Sequence, residues 1–185
     1  MAGVTAFCAL AAAVPAAAQT GGTISPGSTS TDTTTDPAAP VGPPGHARVR
    51  KDGTAVAPAD APANIQAAIA AGNAIHTFPY VWGGGHRSFT DSGYDCSGAV
   101  SYVLHAAGLL ASPMPSGPLA SSWGLPGKGR WITVYANASH AYMIVAGLRF
   151  DTSSGGDRWR QGSGPRWRKK KRKPRGFTAK YAPGY

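Results

Sequence analysis

The sequence contains no glutamate, few charges and, beyond its first eighteen residues, no apolar run long enough to cross a membrane as a helix. Charged residues make up 14% of the 185, and all eight acidic residues are aspartate. Ten of the eighteen lysines and arginines lie between Arg158 and Arg175, and the other eight match the aspartates in number. The net charge of +10 therefore comes from one segment. This excludes a globally basic nucleic-acid-binding protein and leaves open a basic loop with that role.

The beginning of the chain has the pattern of an export signal. Val4 to Ala18 is an Ala-rich apolar run that ends in Pro15-Ala16-Ala17-Ala18. Small residues at this place are typical of a signal-peptidase site, so we expect residues 1–18 to be a signal peptide and the protein to be secreted. No basic residue precedes the run, and the alternative is a buried Ala-rich helix.

Cysteine is almost absent, with only Cys8 and Cys96 in the chain. Cys8 lies in the predicted signal peptide and would be removed with it. Cys96 then has no partner for an internal disulfide, so it is either a buried bystander or a reactive thiol. It stands at the predicted start of a helix, where unpaired N–H groups and the helix dipole favour a thiolate. The small or polar neighbours Asp95, Ser97 and Gly98 favour the reactive alternative.

Composition divides the remaining chain into a spacer and a domain. Residues 19–59 are rich in Thr, Ser, Pro, Gly and Ala, which predicts a disordered spacer. Residues 60–185 predict a single α+β domain, with helices packed on a small antiparallel sheet. The predicted helices cover residues 62–75 (with Asp60 as the cap), 96–107 and 119–123. The predicted strands cover residues 131–137, 140–146, 148–153 and 176–181.

The predicted sheet offers Cys96 a base and an orienting carboxylate. His140 opens a strand, and a tight turn at Ala146-Gly147 would pair it with Ser153. Asp151 then lies diagonally from His140 on the same face, about 7–8 Å away. Cys96, His140 and Asp151 can therefore form a triad of nucleophile, base and carboxylate. The alternative for Asp151 is a solvated strand charge.

The other histidines are weaker candidates for the base. His105 lies about half a turn around the helix from Cys96, so it should point away. His76 and His86 fall in predicted loops and stay open as alternatives. One cysteine and scattered histidines match no zinc-ligand spacing, so we expect no metal or other cofactor.

Two short motifs carry a resemblance to a known family. Pro79-Tyr80-Val81-Trp82-Gly83-Gly84 precedes Asp95-Cys96-Ser97-Gly98, which opens a predicted helix. Together with His140 at the start of a strand, they resemble the NlpC family of bacterial cell-wall cysteine peptidases. The resemblance covers roughly residues 62–181 and implies a trimmed papain-like core.

The resemblance also implies roles for individual residues. Cys96 would be the nucleophile and His140 the general base. Tyr80 would line the active site, and Asp95 and Ser97 would contact the free amine of a peptidoglycan stem peptide. Members of the family usually cleave the bond between γ-D-glutamate and the following diamino acid.

Three further features of the sequence bear on the predicted site. A tight turn of the Gly-rich loop, residues 80–85, would bring Trp82 to the site together with Tyr80. The third polar residue of the family is usually His, Asn or Gln, and here the matching position is Asp151. The usual Gly-Asp-Leu lead into the His strand is replaced by residues 131–137.

The predicted function is thus a secreted, cell-wall-associated cysteine endopeptidase acting on peptidoglycan stem peptides as a monomer. One alternative is an amidase or acyltransferase on the same scaffold, and another is a catalytically weak wall-binding module. The basic loop 158–175 is either a solvated loop or a surface attracted to anionic wall polymers, with no specific nucleic acid as partner. The cations assigned to such polymers are Arg166, Arg168, Lys169, Lys170, Lys171, Arg172 and Lys173.

Overall fold

The computed structural model describes residues 45–153, 163–169 and 171–185. The predicted signal peptide, the predicted spacer up to residue 44, and residues 154–162 and 170 lie outside the described residues, so the parts of the basic loop that fall there stay predictions. Within the described ranges, no helix is long and apolar enough to cross a membrane.

The described part of the chain contains three helices. They are α1 (Ala63–Ile75), α2 (Cys96–Ala106) and α3 (Ser116–Ser121). The first two match the predicted helices to within one residue, whereas α3 begins three residues before the predicted 119–123. The predicted cap of α1 is wrong: Pro62 occupies the N-cap position without a side-chain hydrogen bond, and the Asp60 carboxylate instead accepts a hydrogen bond of 2.9 Å from the backbone N–H of Gly45.

Among residues 45–153, 163–169 and 171–185, the strands form two antiparallel sheets. A two-stranded sheet pairs β1 (Arg48–Val49) with β2 (Ala55–Val56). The second sheet has six strands in the order β3-β8-β4-β5-β6-β7. Its strands are β3 (Leu125–Pro126), β4 (Ile132–Ala136), β5 (Ala141–Val145), β6 (Leu148–Asp151), β7 (Arg166–Arg168) and β8 (Thr178–Tyr181).

The β5–β6 hairpin has the register that the sequence predicts. Val145 pairs with Leu148, so the connection is Ala146-Gly147. Both residues have positive φ, 45° and 75°, as a two-residue hairpin turn that follows the sheet twist requires. The same register brings the position before β5 opposite the position after Thr152, which is where His140 and Ser153 lie.

The helices cover one face of the six-stranded sheet. The apolar residues Val100, Val103 and Leu104 of α2 form one buried cluster with Met143 and Phe150 of the sheet. Alternate residues of β4 to β6 point to the opposite face. The fold is therefore α+β, with helices packed on an antiparallel sheet, as predicted.

The domain begins earlier than the predicted boundary at residue 60. Ala47 and Ala55 are buried in the core, and Ala47 donates a backbone hydrogen bond of 2.8 Å to Ala146. The side-chain amide of Asn73 on α1 bonds to both the N–H and the C=O of Ala55, at 2.7 and 2.9 Å. Residues 45–59 thus belong to the folded domain, and the spacer assignment is wrong for them.

The basic segment, which is the predicted basic loop 158–175, contains a strand. Arg166–Arg168 is strand β7, and Trp167 between the two arginines is buried. The Trp167 indole packs on Phe150 with ring centres 4.7 Å apart and donates a 2.9 Å hydrogen bond to Asn73. Burial of this ring accounts for the strand, since the indole supplies a large apolar surface and its N–H finds a partner.

Gly72 of α1 is predicted to resist substitution although it lies inside a helix. Exchanging a helical glycine for alanine usually stabilises by about 1 kcal/mol. Here the new Cβ would overlap the Trp167 ring. We expect Gly72→Ala to lower the free energy of unfolding by about 1–3 kcal/mol, the range for overpacking. Urea denaturation measures this, with Gly117→Ala, whose Cβ meets no atom within 4 Å, as the control. A stabilised Gly72→Ala protein would contradict the packing described.

Candidate active site

Cys96 is the first residue of α2, and its side chain is buried. It is 8% exposed, and it is the one cysteine among the described residues. Asp95 caps the helix by accepting a 2.8 Å hydrogen bond from the backbone N–H of Gly98. Such a cap fixes the helix start, so the Cys96 side chain and the free N–H groups beside it have a defined direction.

The Gly-rich loop is fastened to the same helix start. Asp95 donates its backbone N–H to the Gly84 carbonyl at 3.2 Å, and its carboxylate accepts from the Gly83 N–H at 3.2 Å. A Cβ on Gly98 would overlap the Gly84 carbonyl oxygen. Close backbone approach thus explains Gly84 and Gly98 and holds the loop against the turn that carries Cys96, whereas Gly83 is explained by its positive φ of 75°.

His140 and Asp151 form a buried pair at the end of the β5–β6 hairpin. Nε2 of His140 lies 3.0 Å from Oδ1 of Asp151. The Asp151 side chain is fully buried, and that of His140 is 18% exposed. The Ser153 backbone N–H donates to the same Oδ1 at 2.9 Å. The carboxylate therefore orients the imidazole, the role that a triad requires of its third member.

Cys96 interacts with the His140 side chain closely enough to contribute to the raised pKa of the imidazole. Since Nε2 faces Asp151, Nδ1 is the nitrogen left for the sulfur. The structure thus brings together the three residues that the sequence singled out as a triad. Their arrangement can move a proton from the thiol to the imidazole while the carboxylate stabilises the imidazolium.

The surroundings of His140 favour its protonated form. Burial on its own lowers the pKa of this imidazole, but the hydrogen bonds and charges of Asp151 and Cys96 outweigh burial and raise the pKa to about 9. Burial likewise opposes ionisation of Asp151, yet its bonds to His140 and Ser153 hold the pKa of this carboxyl below its usual value. Both shifts favour a His140 imidazolium paired with an ionised Asp151 carboxylate.

A titration of His140 is expected to show this directly. The folded-state pKa of about 9 lies above the ordinary value of 6.5, so the imidazolium should persist through neutral pH and lose its proton only as the pH rises through about 9. Proton–carbon NMR of the imidazole, assigned with His140→Ala, measures the midpoint. Asp151→Asn should move it down, because the hydrogen bond and the negative charge are both weakened. An ordinary midpoint in the wild type would contradict the pairing.

The other predicted site residues differ in how deeply they are buried. Burial, followed by the charges of Cys96 and Asp95, raises the pKa of Tyr80 to about 12, so its neutral phenol lies within the field of the site. Ser97 is buried and donates to Asp95 at 3.2 Å. Trp82 is 84% exposed, so its ring is open to solvent from the same loop as Tyr80.

His86 is a site residue that the sequence left as an unassigned loop histidine. Its Nε2 lies 2.9 Å from Oδ2 of Asp95 and 3.0 Å from the Ser97 hydroxyl. It thus bonds to the polar groups that flank Cys96, whereas His140 is the histidine that interacts with Cys96 itself. No motif signals this contact, because it depends on the path of the Gly-rich loop. His105 instead stacks on Phe89, with ring centres 3.8 Å apart.

Two arginines lie beside the Asp151 carboxylate. The Nη1 atom of Arg172 lies 3.1 Å from Oδ2, and Nε of the buried Arg149 lies 3.7 Å from it. No sequence pattern signals Arg149, and Arg172 stands among the cations predicted to contact wall polymers. Within the described residues, no cluster of three or more His, Cys, Asp or Glu side chains suits a metal ion.

Comparison with known proteins gives one structural likeness. No protein-family profile and no curated protein matches the chain. A solved structure of an NlpC/P60 family protein from Bacillus cereus ATCC 10987 is 19% identical, with a TM-score of 0.47. The alignment covers 65% of this chain and 40% of that one, so this chain spans less than half the length of its structural neighbour. The function of this chain therefore has to be inferred from its own residues.

Proposed function

We propose that the protein is a cysteine peptidase that cleaves stem peptides of peptidoglycan. The observation that carries the proposal is the His140–Asp151 pair, joined at 3.0 Å, with Cys96 at the start of α2 interacting with the same imidazole. Such a set of nucleophile, base and carboxylate is suited to acyl transfer. The reaction needs no metal ion or organic cofactor.

The proposed reaction proceeds through a thioester. The Cys96 sulfur attacks the carbonyl carbon of the scissile amide, and backbone N–H groups at the start of α2 stabilise the oxyanion. The C–N bond then breaks while the His140 imidazolium gives its proton to the leaving amine. The neutral imidazole next takes a proton from water, whose oxygen attacks the thioester. The acid product leaves, and the sulfur departs as the thiolate beside the imidazolium.

The substrate proposal follows from the motifs and from the polar groups beside Cys96. We propose the bond between γ-D-glutamate and the following diamino acid as the scissile bond, with Asp95 and Ser97 binding the free amine of the stem peptide. Both groups are held by His86 in the structure. The amine of the substrate would replace His86 as the hydrogen-bond donor to Asp95 and Ser97. Tyr80 and the exposed ring of Trp82 would contact the rest of the peptide.

The proposed location is the cell wall, outside the membrane. It rests on the predicted signal peptide and on the basic segment, whose described lysines Lys169, Lys171 and Lys173 are exposed. A cluster of exposed positive charges attracts anionic wall polymers. Arg166 and Arg168 are less suited to such contacts, because Arg166 bonds to the carbonyl of Phe78 and Arg168 to that of Asp151. We propose that the lysines of the segment carry this attraction.

Digestion of purified peptidoglycan tests the proposal. The full-length protein and its Cys96→Ala variant are incubated with the polymer, and released fragments are identified by mass spectrometry. New amino termini at the diamino acid, formed only by the wild type, would support the peptidase and name its bond. Release of whole stem peptides, or transfer of the acyl group to added amines, would indicate the amidase or acyltransferase. Sedimentation with the polymer without any product would indicate a binding module.

A further inference from the structure

Arg172 reaches Asp151 from the basic segment. Its Nη1 atom lies 3.1 Å from Oδ2 of Asp151 and 2.7 Å from the Ser153 hydroxyl. The guanidinium carbon lies 5.3 Å from the ring centre of Tyr142 and 5.1 Å from that of Phe177. Contacts with two rings fix a long side chain and shield its charge from water. Arg172 therefore belongs to the site, unlike the exposed lysines next to it.

The two oxygens of Asp151 have different partners. Oδ1 is bonded to Nε2 of His140 at 3.0 Å and to the backbone N–H of Ser153 at 2.9 Å. Oδ2 faces Arg172 at 3.1 Å and Arg149 at 3.7 Å. A guanidinium bonded to one carboxylate oxygen limits rotation of the group. The contact with Arg172 thus keeps the other oxygen directed at the imidazole.

Arg172 also acts on the charge of His140. Its Nη1 atom lies 3.4 Å from Nε2 of that imidazole. When Nε2 carries the proton that it donates to Asp151, both nitrogens bear protons, so their contact disfavours a positive charge on the ring. Asp151 and Arg172 therefore influence the imidazolium in opposite directions.

The charged and titratable groups facing His140 come from several elements. They are Cys96 on α2, Tyr142 on β5, Arg149 and Asp151 on β6, and Arg172 after β7. Burial raises the pKa of Tyr142 to about 12, so this phenol is neutral. Arg172 is the cation that contacts both members of the His140–Asp151 pair.

We propose that Arg172 is a positioning residue that holds the Asp151 carboxylate against His140 and keeps the imidazolium acidic enough to protonate the leaving amine. This inference rests on the proposed function, because acyl transfer requires His140 to release its proton in the first step. Without Arg172, the negative charge of Asp151 is less compensated and the imidazolium is a weaker acid. The basic segment then contributes Arg172 to the reaction and exposed lysines to the protein surface.

The test is an NMR titration of His140 in the full-length protein between pH 6 and 11. Arg172→Gln should raise the midpoint by about one pH unit, since a nearby positive charge is removed. Arg172→Lys keeps the charge without the planar fork, so its midpoint should stay closer to that of the wild type. Lys171→Gln removes the same charge from an exposed neighbour and should leave the midpoint in place. The alkylation rate of Cys96, measured in a Cys8→Ser background, provides a second readout.

The outcomes separate this inference from the proposed function. A midpoint raised in Arg172→Gln and unchanged in Lys171→Gln would support the positioning role. Equal midpoints in these two variants would overturn it, even if Arg172→Gln unfolded at a lower temperature, and would leave the peptidase proposal standing. A wild-type midpoint near the ordinary value, with an alkylation rate of Cys96 that His140→Ala does not change, would overturn the peptidase proposal itself.

Discussion

Cys96→Ala is expected to abolish release of peptidoglycan fragments while leaving the fold intact. Without the sulfur no thioester can form, and removing the nucleophile of such a triad costs up to about a millionfold in rate. The substitution is small, and alanine suits the first turn of a helix. The measurement is the initial rate of fragment release, together with circular dichroism and the melting temperature.

The control for Cys96→Ala is Cys8→Ser, which changes the one other cysteine of the chain. It should keep the full rate of fragment release. A rate in Cys96→Ala within tenfold of the wild type would contradict nucleophilic catalysis at this position. Another group would then have to act as the nucleophile.

His140→Ala is expected to have the second largest effect, a loss of about a thousandfold or more in kcat/KM. Two functions disappear together, since the imidazole activates the thiol and protonates the leaving amine. Asp151→Asn should cost about a hundredfold to ten-thousandfold, because the amide holds the imidazole less firmly and stabilises its charged form less. His105→Ala is the matched histidine control, because His105 stacks on Phe89 outside the site.

Comparing the two substitutions separates their roles. His140→Ala should lower kcat at all pH values, whereas Asp151→Asn should also move the upper pH limit of activity downward. This direction follows because Asp151 raises the pKa of His140. Equal loss in His140→Ala and His105→Ala would show that the effect comes from destabilisation and would contradict the assignment of the base.

The β5–β6 hairpin was predictable because its determinants are local. The Ala146-Gly147 turn sets the pairing of the two strands, and the pairing places His140 and Asp151 on one face. The start of α2 was predictable for the same reason, since Asp95 caps the helix that Cys96 opens. The core of the candidate site thus follows from short segments with strong local preferences.

The parts that could not be predicted depend on contacts between distant segments. Strand β7 is three residues long, and two of these are arginines. Its place is determined by Trp167, which packs on Phe150 and bonds to Asn73 of α1. The early start of the domain depends on the same asparagine, which also bonds to Ala55. The residues around Trp167 and Ala55 give no local signal that Asn73 is the partner of both.

The contact of Arg172 with Asp151 is of this kind as well. In the sequence, Arg172 is one cation in a run of seven basic residues that starts at Arg166 and is interrupted by Trp167. Composition therefore assigns it to a solvated or polymer-binding loop. Only the folded chain places it between Tyr142 and Phe177, with its guanidinium on the carboxylate. Functional residues within a charge run are thus invisible until their neighbours in space are known.

Trapping the acyl-enzyme tests the central claim most directly. The full-length protein in a Cys8→Ser background is mixed with a stem peptide, quenched in acid within seconds, and mapped by mass spectrometry after proteolysis. We predict a mass increase equal to the acyl part of the stem peptide, located on Cys96 and removed by hydroxylamine, as expected for a thioester. Fragment release without an adduct on Cys96, or an adduct on another residue, would contradict the account.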